Sequence, residues 1–178
     1  MRKLFLTFLV FFMIIGCNDT LNNPKDKVKH FFEKYQKLDN EVLMDLEYII
    51  ESKNLNEIEK KLYRENMRRQ YKDLNYKIKK EEIYDDNASI IVEIEVYDYG
   101  ETIKKASDYF LKNQDLFINE DNMVDESKYI DYKLNEMKET NDRIKYDIEF
   151  SLYKKNKIWI MNDIDETIIE KIHGIYYF

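Results

Sequence analysis

The residue with the most specific chemistry is Cys17, the single cysteine of the 178-residue chain, whose thiol can accept a covalent group. It directly follows a small residue, Gly16, and an apolar run from Leu4 to Ile15. Two positive charges, Arg2 and Lys3, precede that run. A positive start, an apolar core and a small residue before a cleavage point are the three parts of an export signal.

The apolar run is too short to cross a bilayer. A membrane helix needs about 20 apolar residues, whereas polar residues begin at Asn18 and Asp19, and Pro24 follows. Two other interpretations of this segment are a short anchor helix and an ordinary secretory signal with an unrelated cysteine nearby.

The sequence Ile14-Ile15-Gly16-Cys17 resembles a bacterial lipobox. That resemblance implies cleavage between Gly16 and Cys17, and a diacylglyceryl group on the Cys17 thiol, with fatty chains such as palmitate. Two or three acyl chains hold a protein firmly on a membrane, whereas one chain holds it reversibly. We therefore expect a lipoprotein anchored on the extracytoplasmic side of the cell membrane. Its parts would be a signal peptide (1–16), a lipidated cysteine with a short tether (17–24) and one domain (25–178).

The charge of the mature chain disfavours nucleic acid as a partner. Removal of residues 1–16 takes away two of the 29 basic residues and none of the 36 acidic ones, which leaves a formal net charge of −9. The remaining Lys and Arg residues are interleaved with Glu and Asp, whereas phosphate-backbone binding needs them clustered.

Helical spacing dominates the first part of the domain. Pro24 suits the first position of a helix capped by Asn23, and Asp39-Asn40 supplies a break before a second helix. A third helix is predicted from Asn56 to Lys72. The apolar stripes that indicate these helices are Val28, Phe31, Phe32, Tyr35 and Leu38; Val42, Leu43, Leu46, Ile49 and Ile50; and Tyr63, Met67, Tyr71 and Leu74.

Alternating patterns then predict two antiparallel hairpins. The first turns at Asp85-Asp86-Asn87, and the second turns at 154–157 before a strand that contains Trp159. Helices are predicted between the hairpins, from Glu101 to Phe117 and from Ser127 to Asn141. Asp163 with Glu166 predicts the start of a last short helix that ends at Gly174.

This order of elements resembles the NTF2-like superfamily of α+β cones, and in particular small NTF2-like bacterial lipoproteins of unassigned function. The residues that carry the likeness are Val28-Lys29-His30-Phe31-Phe32, the strand from Ile90 to Tyr99, and 157–163. The resemblance implies N-terminal helices packed on a curved antiparallel sheet that is built from two hairpins, with a cavity between them. Some relatives use the cavity for catalysis, and others use it for binding.

Residue types argue against an enzyme. The two histidines, His30 and His173, have no nucleophile pattern beside them, and we expect each at a helix surface or cap, with a positive charge favoured in the last turn at His173. None of the serines lies in a Gly-x-Ser-x-Gly context, and HExxH, CxxC and glycine-rich phosphate loops do not occur. The acidic stretch 119–126 lacks the glycine of an EF-hand loop and is interpreted as a solvated loop. The sequence thus predicts no cofactor and no metal.

Tyrosine is the remaining clue, since its apolar body and polar tip suit wet pockets and interfaces. The fifteen tyrosines also fit half-buried strand and helix positions of a chain with biased composition. If a pocket exists, the alternation of the strands selects Tyr76, Tyr146 and Trp159 as its lining. We hypothesise a non-enzymatic module that binds a small apolar ligand or an envelope protein. The alternative is an NTF2-like isomerase, dehydratase or hydrolase with its active site in the cone cavity, for example one that uses His30.

Overall fold

Residues 23–176 are described by a computed structural model, and they form an α+β domain with six α-helices and one open four-stranded antiparallel sheet. The α+β class is thereby confirmed. No helix in this range is long and apolar enough to cross a bilayer. The elements are α1 (Pro24–Gln36), α2 (Asn40–Glu51), α3 (Glu57–Lys72), β1 (Asn75–Tyr84), β2 (Asn87–Tyr97), α4 (Tyr99–Lys112), α5 (Glu126–Glu139), β3 (Arg143–Lys155), β4 (Ile158–Met161) and α6 (Glu166–His173), with a 3₁₀ turn at Gln114–Phe117.

Side-chain caps start the first three helices: at Asn23, the predicted cap, at Asp39 within the predicted break, and at Asn56, where the third helix is predicted to begin. Asn23 accepts a hydrogen bond from the Lys25 amide at 2.8 Å, and Asp39 accepts one from the Glu41 amide at 3.0 Å. Asn56 accepts from the amide of Glu59, whose carboxylate accepts in return from the Asn56 amide at 2.7 Å. Each cap satisfies backbone donors that a helix start leaves free.

The strands pair in the order β1-β2-β3-β4, and one face of the sheet is covered. Every second residue of β2, from Ala88 to Val96, is buried, and the residues between them are half-buried. Phe32 of α1 packs on this inner face, with its ring 4.7 Å from that of Tyr76 and 5.5 Å from that of Phe150. The core therefore lies between the helices and the inner face.

A bulge in β1 changes which residues point inward. The register shifts between Ile78 and Lys80, so that Glu81 pairs with Ile90 and takes an inner-face position. One Glu81 carboxylate oxygen lies 2.8 Å from the Lys25 ammonium, and the other is buried without a hydrogen-bond partner among residues 23–176.

Some predicted helix limits are wrong. The helix predicted as Glu101 to Phe117 ends at Lys112, because Asn113 leaves the helical conformation and its side-chain amide donates to the Tyr109 carbonyl. The last helix begins after Asp165, whose carboxylate accepts from the Ile168 amide at 2.8 Å, and not after Asp163. Gly174 ends it with a φ of 69°, as predicted.

Candidate functional site

The three residues selected from the sequence as pocket lining are packing residues of the inner face. Tyr76 and Tyr146 both pair with Ile94, from opposite sides, and Trp159 pairs with Lys154 at the end of β3. The Tyr146 hydroxyl donates to the Tyr176 carbonyl at 3.0 Å. Tyr76 and Tyr146 therefore lie in one row across the sheet. Neither these two tyrosines nor Trp159 lines the pocket that lies among the helices. Gly16 and Cys17 lie outside the described residues.

A pocket of about 250 Å³ lies among four helices, α1, α2, α3 and α6. We call it the tyrosine pocket. The side chains that give it its chemistry are Tyr35, Asp45, Tyr48, Tyr71 and His173, and the rest of its wall is aliphatic.

These side chains belong to the ends of three helices and to one face of a fourth. Tyr35, Tyr71 and His173 each belong to the last turn of their helix, α1, α3 and α6 respectively. Asp45 and Tyr48 are three residues apart in α2 and so lie on the same side of it. The pocket is therefore formed where three helices end against a fourth.

His173 is a buried polar group of the pocket and is 4% exposed. Its Nε2 lies 2.8 Å from the Tyr71 hydroxyl, which is itself buried. Burial, together with the charge of Lys53, lowers the pKa of His173 to about 4. Burial, with smaller contributions from neighbouring tyrosines and Asp45, raises the pKa of Tyr71 far above its usual range. Both groups are therefore neutral at pH 7.

This corrects the prediction for His173. It does lie in the last turn of a helix, but on the buried side, where desolvation excludes the positive charge expected there. His30 is exposed on α1 and does not line the pocket.

Tyr35 forms a second aromatic wall. Its ring centre lies 5.0 Å from that of Tyr71 at an interplanar angle of 85°. The side chain is 8% exposed, yet among residues 23–176 no protein group forms a hydrogen bond with its hydroxyl. Burial and then the charges of Asp45 and Glu41 raise the pKa of Tyr35. A hydroxyl group without a protein partner is available to a ligand.

The rim of the pocket is more exposed. Tyr48 is 80% exposed, and Asp45 is exposed without an ion pair to any residue of the described range. Within the same range, no three His, Cys, Asp or Glu side chains lie close enough together to hold a metal ion.

Sequence reasoning missed this site. Tyr35 and Tyr71 were assigned to apolar stripes of the core, and Asp45 carried no motif. The one available signal was the position of two tyrosines and a histidine at the predicted ends of helices. That signal is weak because tyrosine is frequent throughout this chain.

A larger groove of about 380 Å³ lies between α4 and α5, lined in part by Ile103, Ser107 and Tyr129. It is shallower, and each of its polar side chains is at least partly exposed. It therefore lacks the buried polar groups that fix the orientation of a ligand.

Comparison with known proteins gives no further guide to the site. No family model, no curated protein and no solved structure matches this chain. The pocket itself is therefore the observation from which function can be inferred.

Proposed function

We propose that this chain is a bacterial lipoprotein, anchored through a diacylglyceryl group on Cys17, whose domain outside the cytoplasm binds a small ligand in the tyrosine pocket. The observation that carries the binding role is the Tyr71–His173 pair, which is buried, hydrogen-bonded and neutral at the base of a cavity. The anchor rests on the residues before Cys17 and on no structural observation.

The proton affinities of this pair favour recognition over catalysis. A general acid or base works best when its pKa lies near the working pH. Burial moves the pKa of His173 down to about 4 and that of Tyr71 upward, so both move away from neutrality. Such a pair suits a fixed donor and acceptor for a ligand better than it suits a proton carrier.

An NTF2-like cone is the finer fold that we propose. Its support is the order of elements, with helices first, and an antiparallel sheet that is covered on one face. The tyrosine pocket is lined by helices alone, so in such a cone it would lie beside the sheet-lined cavity and not within it. His30, the residue named for the enzyme alternative, is exposed on α1 and does not line the tyrosine pocket.

The anchor is tested by intact-mass analysis of the full chain extracted from bacterial membranes. We expect the mass of residues 17–178 plus a diacylglyceryl group, with or without a further acyl chain. C17S should abolish the added mass and the membrane fractionation, whereas N18S, a neighbouring change that keeps the thiol, should preserve both. An unmodified Cys17 would overturn the proposal of an anchor.

Binding is tested by native mass spectrometry of the full chain released from detergent. We expect a bound small molecule that survives in Y84A and is lost in Y48A. Tyr48 and Tyr84 are matched, since both are exposed tyrosines, at 80% and 67%, but only Tyr48 lines the pocket. Equal retention in the two variants would place the ligand elsewhere and overturn the proposed site.

A further inference from the structure

The geometry points to a small organic cation, a protonated amine with a short apolar body, as the ligand of the tyrosine pocket. This inference rests on the proposed function, in that it takes the pocket to be a ligand site. Four features of the pocket support it: its aromatic walls, one unpaired carboxylate, the helix ends around it, and an unused hydroxyl group.

Aromatic rings form part of the pocket wall. Tyr35 and Tyr71 stand at 85° to each other, and Tyr48 lies at the mouth. The electron-rich face of a tyrosine ring attracts ammonium groups within about 6 Å of its centre. Because His173 is neutral, it places no opposing charge on the wall.

Asp45 is the one carboxylate of α2 without a cationic partner among residues 23–176. The other three acids of the helix are paired: Glu41 with Lys34, Glu47 with Arg64, and Glu51 with Lys60. Asp45 lines the pocket, and its charge reaches both Tyr35 and Tyr71, as its contribution to raising the pKa of each shows. A bound ammonium group would supply the missing partner.

Three helix ends add partial negative charge. The C-terminal end of a helix carries roughly half an elementary negative charge, which acts within its last turn. The pocket takes a side chain from the last turns of α1, α3 and α6.

Three of the four lysine and arginine side chains in these last turns are engaged elsewhere, and the fourth, Lys72, does not line the pocket. Lys34 pairs with Glu41, Lys171 donates to the Asp147 carbonyl at 3.1 Å, and Arg69 donates to the carbonyls of Lys138 and Thr140. Lys53 lowers the pKa of His173, but its ammonium lies 5.3 Å from the ring centre of Tyr63, and it does not line the pocket.

The unpartnered hydroxyl of Tyr35 distinguishes a protonated amine from a quaternary ammonium ion. Tyr35 as a whole residue is 8% exposed, and its hydroxyl oxygen, which is accessible from the pocket, can accept an N–H donor, which a quaternary ion does not have. The volume of about 250 Å³ lies below the range of drug-sized sites, about 300–1,000 Å³, so the ligand is small.

The test compares n-butylammonium chloride with 1-butanol, which have the same chain length and differ in charge. Both are titrated into the full chain in detergent at constant ionic strength, and binding is followed by NMR through the methyl groups of Ile49 and Ile169, which line the pocket. We expect the cation to bind at least about tenfold more tightly than the alcohol. We expect D45N to weaken binding of the cation about tenfold.

The control for D45N is D108N, which removes the charge of another exposed helical aspartate outside the tyrosine pocket. It should leave the affinity unchanged. Y48L provides a second test at the rim, and we expect it to weaken binding of the cation more than binding of the alcohol.

Failure of this inference differs from failure of the proposed function. If butanol binds as tightly as butylammonium, or if D45N has no effect, the assignment of a cation is overturned while the pocket remains a ligand site. If neither compound shifts the two methyl groups but native mass spectrometry finds a ligand that depends on Tyr48, the assignment of an amine is again overturned. If neither butylammonium nor butanol shifts the two methyl groups, and native mass spectrometry finds no ligand that depends on Tyr48, the proposed function itself is wrong.

Discussion

The Tyr71 hydroxyl has a structural task apart from any ligand, because it is the hydrogen-bond partner of the buried imidazole of His173. Y71F would leave Nε2 unsatisfied in the interior, and we expect it to lower the free energy of unfolding by about 1–3 kcal/mol. Urea denaturation of the full chain in detergent measures this change.

Y35F is the matched control, since it removes a hydroxyl group of the same pocket that has no protein partner in the described range. We expect a change below about 1 kcal/mol, because no hydrogen bond is lost. Equal losses in Y35F and Y71F would contradict the assignment of the Tyr71–His173 bond.

His173 makes stability depend on pH. Its pKa is about 4 in the folded protein and 6.5 when exposed, so between these values the unfolded chain binds more protons than the folded one. Stability contributed by the neutral imidazole is therefore full above pH 6.5 and is lost as the pH falls toward 4, by about 3 kcal/mol in total.

Unfolding free energies measured between pH 7 and pH 4 test this prediction. H173Q should flatten that part of the profile, because glutamine does not titrate, whereas H30Q should keep it, because His30 is exposed. An unchanged slope in H173Q would show that other groups cause the acid sensitivity.

At the scale of elements, α3, β2 and α6 meet in a close contact at Gln70, Tyr97 and Gly174. The side-chain amide of Gln70 donates to the Tyr97 carbonyl at 3.0 Å and accepts from the Tyr97 amide at 2.8 Å. A Cβ atom on Gly174 would overlap both the Tyr97 carbonyl and the Gln70 side chain, and the φ of 69° at Gly174 is a left-handed conformation. Both features exclude a side chain at this position.

We therefore expect G174A to lower the free energy of unfolding by more than about 2 kcal/mol, since strain adds to the clash. K157G tests the contribution of a positive φ to stability separately from the clash, and here we expect a gain in stability. Lys157 has a φ of 65° in the turn between β3 and β4, where glycine removes strain. A gain in stability in K157G, measured by thermal unfolding, would accompany the loss in G174A; a loss in both would contradict the argument from φ.

The start of α6 provides a matched pair of aspartates. Asp165 caps the helix through the Ile168 amide, whereas Asp163 is exposed and makes no cap. D165A should cost about 1 kcal/mol of stability, and D163A should cost less than about 0.5 kcal/mol. Equal costs would indicate that the helix starts earlier, as the sequence predicts.

Element starts were predictable where a side chain caps its own helix, because the interaction is local: Asn23, Asp39 and Asn56 are examples. The start of α6 was not, since Asp163 and Asp165 both stand before helix-forming residues. The β1 bulge was also unpredictable, because nothing near Lys79 in the sequence specifies where an extra residue enters the ladder.

At the scale of the whole molecule, the fold class followed from periodicity and the site did not. Glu93, Lys145 and Asp147 alternate with the buried residues of their strands and lie on the outer face of the sheet, where Lys79 bridges Glu93 at 3.1 Å and Asp147 at 3.0 Å. Such exposed pairs contribute little stability but keep this face soluble. The tyrosine pocket instead needs the packing angles of four helices, which no local pattern contains.

The position of α4 and α5 in the chain has a consequence for the speed of folding. Strands β2 and β3 form the longest ladder of the sheet, from Asn87↔Tyr153 to Tyr97↔Arg143, yet α4, the 3₁₀ turn and α5 separate them in sequence. Closing that interval carries an entropic cost before any pair in the ladder forms, whereas β1 and β2 are joined by a short turn. We therefore expect the β1–β2 pair and the first three helices to form early, and docking of β3 to set the rate at which the sheet is completed.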